Sequence, residues 1–387
     1  MLVQREIIEA IKRMIDKYPV IALTGPRQSG KTTLLKAMFP DYRYVSLENP
    51  DTRSFAETDP RSFLQQYDHN VIFDEVQRVP HLFSYIQSVV DESKIMGQFI
   101  FSGSQNFHLM QNITQSLAGR VAIFRLFPFD IQELKKAGLL QEEYTSLLLK
   151  GFYPAIYDRN IPPVDFYSNY IETYIQRDVS ELVAIQDMSL FRKFLALCAT
   201  RAGQVLNMTS LAKECGISAP TVKAWLSALE NSYIVYLLQP YYKNFSKRII
   251  KSPKLYFYDT GLLCHLLKIN DATKIVNQSV KGALFENMVI SEYVKRIYHK
   301  SEKQVEPWFW RDARGHEVDL LLEKPRQIEI IEIKATRTVI PDLFKGLHYF
   351  SALMPGGNVE KTLVYGGSEN QQREAGTVVS WKDVGNA

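Results

Sequence analysis

Cysteine is scarce in this chain: three among 387 residues, at Cys198, Cys215 and Cys264. They stand too far apart for a metal-ligand pair or a local disulfide motif, so they read as small buried hydrophobes in a reducing compartment. Long apolar runs are missing too. The best candidate, Tyr233-Ile-Val-Tyr-Leu-Leu238, falls far short of the roughly 20 residues that cross a bilayer as a helix. The opening residues, Met1-Leu-Val-Gln-Arg-Glu6, carry charge early and lack an apolar secretion segment with a small-residue cleavage site. The expectation is a cytoplasmic protein without a membrane partner. Internal repeats and low-complexity tracts are absent. Charge of one sign is not in excess either, with 46 Lys and Arg against 42 Asp and Glu and a net charge of +4. Affinity for nucleic acid would therefore come from local clusters and not from an overall field.

What is present is ordinary globular material, 46% hydrophobic and 23% charged, in a length that suggests two or three domains. From about residue 18 to 127, short runs apolar on both faces alternate with helix-like segments. The runs are Val20-Ile-Ala-Leu23, Tyr44-Val-Ser-Leu47, Val71-Ile-Phe73, Phe99-Ile-Phe101 and Val121-Ala-Ile-Phe124. Such runs fit parallel strands covered by helices, hence an α/β domain. From about 128 to 270 the pattern is mostly helical. Asn207 or Thr209 is a candidate cap for a helix ending at Gly216, and Ile217–Leu229 reads as a second helix with Pro220 in its first turn. With the strand-like Tyr233–Leu238, this cadence resembles a winged helix. Beyond about 280 an α+β pattern returns: a helix over Ala283–Ile297, then strand-like Pro307–Trp310, Glu317–Leu322 and Ile328–Ile333. Pro162-Pro163 is a candidate hinge.

The most specific motif is Gly25-Pro26-Arg27-Gln28-Ser29-Gly30-Lys31-Thr32, which fits G-x-x-x-x-G-K-[ST] between a strand and a helix that opens with Thr33. Its glycines let backbone N–H groups turn inward as an anion nest, reinforced by the positive end of the helix dipole. Lys31 would reach the β- and γ-phosphates of ATP, and Thr32 would ligate Mg²⁺. The run Asn70-Val-Ile-Phe-Asp74-Glu75 describes a buried strand delivering two carboxylates at its C-terminal end. Asp74 would hold Mg²⁺, and Glu75 would act as general base on the attacking water. The expectation is an ATP- and Mg²⁺-dependent phosphohydrolase.

A second pattern lies near the C-terminus. Glu317-Val-Asp319 is followed by Glu332-Ile-Lys334 on the next strand-like run, and this resembles the PD-(D/E)xK nuclease pattern. Strand alternation puts Glu332 and Lys334 on one face. Asp319 and Glu332 would share a second Mg²⁺ through hard oxygen ligands, with Glu286 on the preceding helix as a further acid. Lys334 would orient or activate water. The alternative is an inert relic or a satisfied ion pair. Thr221, Lys223 and Trp225 are candidates for the exposed face of a recognition helix. Lys243, Lys247, Arg248, Lys251 and Lys254 form an aromatic-rich basic stretch able to contact phosphates. Interdomain packing and a solvated hairpin are the competing readings.

These residues together make the chain similar to a family of prokaryotic AAA-type ATPases. In that family the ATPase module precedes a winged-helix segment and a restriction-endonuclease-like domain. The resemblance is carried by Gly25–Thr33, Phe73–Gln77, Ser116–Arg120, Tyr174–Asp178, Lys254–Leu262 and Gly282–Asn287. It implies a P-loop AAA-type domain over 1–165, a helical and winged-helix segment over 166–270 and an α+β nuclease-like domain over 271–387. It also implies a sensor at Ser104 or Gln105, and it makes Arg120 and Arg177 candidates for a transition-state arginine acting within a chain or between chains. Either arginine is as readily a salt-bridge partner. Self-assembly is plausible for such a module. Two partner classes follow. In one, ATP turnover is coupled to DNA; in the other, a nucleotide-dependent switch binds a protein and the nuclease-like domain is inert.

Overall fold

The computed structural model describes residues 3–104, 113, 115–175, 185, 187–242, 251–277, 279–302 and 304–385. Gln105, Arg177, Asp178, Lys243, Lys247 and Arg248 lie outside them. The chain divides into two compact units, Leu2–Pro128 with Tyr298–Ser301, and Phe129–Ile297 with Glu302–Ala387.

The first unit is built on five strands, β1 (Val20–Thr24), β2 (Arg43–Ser46), β3 (Val71–Asp74), β4 (Phe99–Gly103) and β5 (Val121–Arg125). All are parallel, in the order β2-β3-β4-β1-β5. They coincide with the five apolar runs. Both faces of the central strands are buried, and alternation sorts their side chains into two cores. Val20, Ala22, Val71, Phe73, Phe99 and Phe101 face one; Ile21, Leu23, Ile72 and Ile100 face the other. The edge strands β2 and β5 are only partly buried. Because β1 lies between β4 and β5, the connections at its C-terminal end diverge and leave a crevice there, the place where open α/β sheets bind ligands.

In the second unit, helices Met208–Cys215 and Ala219–Asn231 are capped as their sequences require. The Asn207 side chain accepts from the Ser210 N–H at 2.9 Å, and the Ser218 hydroxyl accepts from the Thr221 N–H at 3.2 Å. Gly216 ends the first helix at φ 81°. Trp225 corrects the expectation of an exposed recognition face. It is 6% exposed and packs edge-on against Phe191 and Phe194, so of the three residues named for that face only Lys223 is exposed, with Thr221 half-buried.

The strands that follow are β6 (Val235–Pro240), β7 (Lys254–Phe257), β8 (Glu306–Arg311), β9 (Glu317–Lys324), β10 (Gln327–Lys334), β11 (Val359–Tyr365), β12 (Gln371–Arg373) and β13 (Gly376–Ser380). They form one mixed sheet ordered β12-β13-β11-β10-β9-β8-β6-β7. Gln239 and Pro240 of β6 pair with Trp308 and Phe309 of β8. The helical stretch and the C-terminal stretch therefore share a sheet. The division between units falls at Pro128–Phe129, not near residue 165. Pro163 opens the helix Pro163–Tyr170 inside the second unit. Beneath the sheet, Trp310, Val318, Leu321, Ile330, Leu363 and Val378 pack with Phe344, Leu347 and Phe350.

All three cysteines are free and buried, and burial pushes each thiol up from its ordinary value. Among the described residues no helix is long and apolar enough to cross a membrane.

Candidate functional site

The phosphate loop joins β1 to the helix Lys31–Met38. Gly25 sits at φ +149°, and a Cβ there would lie 2.0 Å from the Leu126 carbonyl oxygen. Only glycine fits that approach. Gln28 and Gly30 also have positive φ, at 61° and 95°, which turns successive backbone amides toward one side, as an anion nest requires. Lys31 is 7% exposed, and its ammonium donates to the Gly25 and Pro26 carbonyls, each at 2.9 Å. Its charge is thus held against the loop it would serve.

Asp74 ends β3 and Glu75 follows at φ 54°. The Thr32 hydroxyl donates to Asp74 Oδ2 at 3.2 Å. Two hard oxygens from separate elements at this spacing fit a Mg²⁺ ion. The Glu75 N–H donates to the Ser102 carbonyl at 2.7 Å, which fixes its backbone. Its Oε2 accepts from Gln77 Nε2 at 2.5 Å and from the Ser104 hydroxyl at 3.3 Å. Lys31, Thr32, Asp74, Glu75 and Ser104 therefore gather at the C-terminal edge of the sheet, with Thr33 in the first helical turn.

Arg120 does not join them. It precedes β5 at the N-terminal end, where Val20 pairs with Val121. Five strand residues, about 16 Å at the usual rise, separate it from the level of the loop. Its guanidinium grips both oxygens of Asp91 at 2.6 and 2.8 Å. A within-chain role at the phosphates is ruled out by this placement.

Two residues escaped the sequence reading. Arg5, 5% exposed, donates to the Ser29 carbonyl at 2.9 Å and the Phe127 carbonyl at 2.6 Å, tying the loop to the segment after β5. Tyr44 donates to Asp74 Oδ2, with Lys36 3.6 Å above its ring. Burial, and then the Asp74 carboxylate, push the Tyr44 phenol well above its ordinary value. Lone arginines and edge-strand tyrosines carry no motif, so nothing in one sequence marks them.

In the second unit, Asp319, Glu332, Lys334 and Glu286 also come together. Asp319 Oδ2 accepts from the Ile333 N–H at 2.8 Å and from Lys334 Nζ at 3.2 Å. Lys334 Nζ lies 2.5 Å from Glu332 Oε1, as strand alternation requires. Glu332 Oε2 is buried with no hydrogen-bond partner among the described residues. An oxygen left in that state fits a metal ligand more readily than a structural ion pair. Burial, with the nearby Asp319 charge, lifts the Glu332 carboxyl to about 8. Glu286, from the helix Lys281–His299, accepts from Tyr256 at 2.6 Å and Lys254 at 3.0 Å. Lys254 belongs here and not to an exposed basic stretch, being 3% exposed. It also pairs with Glu317.

Comparison with known proteins gives the segments separate likenesses. Residues 17–135 match the model of an AAA domain. Residues 141–273 match a domain of unknown function (DUF8612), and residues 281–384 match another (DUF4143). An uncharacterised protein of Mycobacterium tuberculosis is 29% identical over 374 residues, covering 95% of this chain and 81% of its own. One of Haemophilus influenzae is 19% identical, covering 86% of each. Among solved structures, a Walker-type ATPase of Pyrococcus abyssi is 12% identical, covering 68% of this chain and 95% of its own, with a TM-score of 0.43. RuvB of Thermotoga maritima is 19% identical, covering 59% and 85%, with a TM-score of 0.30. The segment match, the parallel sheet and the phosphate loop together support an AAA-type P-loop ATPase module at the N-terminus.

Proposed function

We propose that the protein is a Mg²⁺-dependent ATPase whose turnover is coupled to DNA through its second unit. The observation that carries the ATPase reading is the meeting of Thr32 and Asp74 at 3.2 Å beside Glu75, at the mouth of a glycine loop. Bound Mg²⁺ would neutralise charge on the β- and γ-phosphates. Lys31 would exchange its two carbonyl partners for phosphate oxygens. Glu75, aimed by Gln77 and Ser104, would take a proton from water as that water bonds to the γ-phosphorus and the bond to the bridging oxygen breaks. ADP and phosphate leave, and the proton passes from Glu75 to solvent.

For the second unit, the convergence of Asp319, Glu332 and Lys334 around an orphaned carboxylate oxygen supports a metal-dependent phosphodiester site of the PD-(D/E)xK kind. The helix pair at 208–231 supports a winged-helix role beside it. Arg120, facing away from its own loop, would serve catalysis only for a neighbouring copy.

Steady-state ATP hydrolysis with and without duplex and single-stranded DNA tests this reading. Glu75→Gln should retain ATP binding and lose about 10²–10⁴-fold in turnover, the usual worth of a general base. DNA should stimulate the wild type. Unchanged turnover in Glu75→Gln would remove the base assignment. Genuine turnover indifferent to DNA would instead favour the protein-binding switch.

A further inference from the structure

The acidic cluster of the second unit contains two lysines that differ in one respect. Lys334, at the end of β10, bridges Asp319 and Glu332 with its side chain 37% exposed. It has a route to solvent and can vacate the space between those carboxylates. Lys254, on β7, bridges Glu286 and Glu317 with its side chain 4% exposed. Its backbone is fixed by pairing with Leu238, and the Phe309 ring lies 5.5 Å from its ammonium. It has no comparable exit. Its ion pairs with Glu286 and Glu317 hold the ammonium where it is. The Tyr256 hydroxyl occupies the same Glu286 oxygen.

We propose that Lys254 is a resident cation in the place of a second metal ion, so that this site takes one divalent ion, between Asp319 and Glu332. The inference rests on the metal-dependent reading of the cluster given above. Charge balance points the same way. Glu286, Glu317, Asp319 and Glu332 face Lys254, Lys334 and Arg311, the last 3.4 Å from Glu317. With all four acids ionised, one divalent ion already overcompensates the remaining charge, and a phosphodiester would restore balance. A second ion held by Glu286 and Glu317 would have to sit against the Lys254 ammonium between them, and its place opens only when that charge is removed. Glu286 is on this view a ligand of lysine, and its expected place as a metal ligand is taken.

The experiment counts Mn²⁺ ions bound to the full chain without nucleotide, by calorimetry and by electron paramagnetic resonance. The count for Asp319→Asn is subtracted to remove sites elsewhere. Wild type should show one ion at the cluster, Lys254→Arg one, and Lys254→Met two. Should Lys254→Met fold only with Mn²⁺ present, two ions should be found in the recovered protein. Two ions in wild type, or one in Lys254→Met, overturns the inference while leaving the metal reading intact. No ion in wild type overturns the metal reading and the inference with it. The wild-type count decides even if the methionine variant does not fold.

Discussion

The phosphate loop and the acidic cluster solve one problem, holding charge in a half-dry place, by opposite routes. The loop uses backbone. Its eight contiguous residues need little more than two glycines and a helix start, and its lysine is held by carbonyls of the same loop. The cluster uses side chains. Lys254, Glu286, Glu317, Asp319, Glu332 and Lys334 come from four segments, and each charge is held by another. The first is specified by local conformation. The second exists only when the β9–β10 register sets Ile331 opposite Leu320 and β7 joins the same sheet. A local site should be destroyed by a local backbone change, and a distributed one by a change in how its elements approach.

The largest effect is expected at Gly25. Backbone strain alone costs about 1–3 kcal/mol there, and each 1.4 kcal/mol is tenfold in affinity. The added methyl would also stand 2.0 Å from a carbonyl oxygen. Gly25→Ala should weaken ATP binding by about 100-fold or more in calorimetric titration while leaving Mn²⁺ binding at the cluster unchanged. Retained ATP affinity would break the comparison at its root. The counterpart is Gly346, in the helix Lys345–Ala352. A Cβ there would lie 2.6 Å from the Glu317 carbonyl oxygen and 3.2 Å from Glu332 Oε2. Alanine gains about 1 kcal/mol of helix propensity, but backbone on the other side cannot yield as a side chain can, so the helix must move. Gly346→Ala should lower Mn²⁺ affinity at the cluster by about tenfold with ATP turnover untouched. Equal affinity would mean that helix and strand do not set the site's geometry.

That contrast also explains what was legible beforehand. The five parallel strands, the glycine loop and the acids of β3 are encoded by contiguous residues, and alternation placed Glu332 and Lys334 on one face. The pairing of β6 with β8 was not legible, because two residues of contact leave no pattern in either strand. Without it the helical stretch reads as a separate domain. Trp225 looked presentable on a recognition helix because helical period gives a face but not its orientation, and the neighbours that bury it, Phe191 and Phe194, lie on another helix. Lys254 read as part of a basic run for a related reason: Lys251 and Ser252 just before it are exposed, and the acids it pairs with, Glu286 and Glu317, are 32 and 63 positions away. Arg5 and Tyr44 leave no trace, since what singles them out is a carbonyl and a carboxylate brought from elsewhere.

The smallest expected effect concerns a buried pair with no orphaned oxygen. Glu292, on the helix Lys281–His299, accepts from Lys295 Nζ at 2.8 Å and from the Ile131 N–H at 2.5 Å, and Lys295 also donates to the Phe129 carbonyl at 3.1 Å. Each carboxylate oxygen has a donor, unlike Glu332. Burial lifts the Glu292 carboxyl to about 7, with Lys295 opposing the rise and Asp130 adding to it. A carboxyl raised on folding binds its proton more tightly in the native chain than in the unfolded one. Its contribution to stability is therefore complete below about pH 4.5, the unfolded value, and is lost as pH rises through about 7. Glu292→Gln keeps an acceptor for Ile131 and cannot ionise. Chemical denaturation across pH 4.5–7 should give a flatter profile for the variant, by up to about 1.4 kcal/mol per pH unit, with ATP turnover and Mn²⁺ binding as in wild type. A variant with the wild-type slope would mean that Lys295 keeps Glu292 ionised throughout. Its two satisfied oxygens would then hold the charge on their own, and the orphaned oxygen of Glu332 would mark the difference between the two carboxylates.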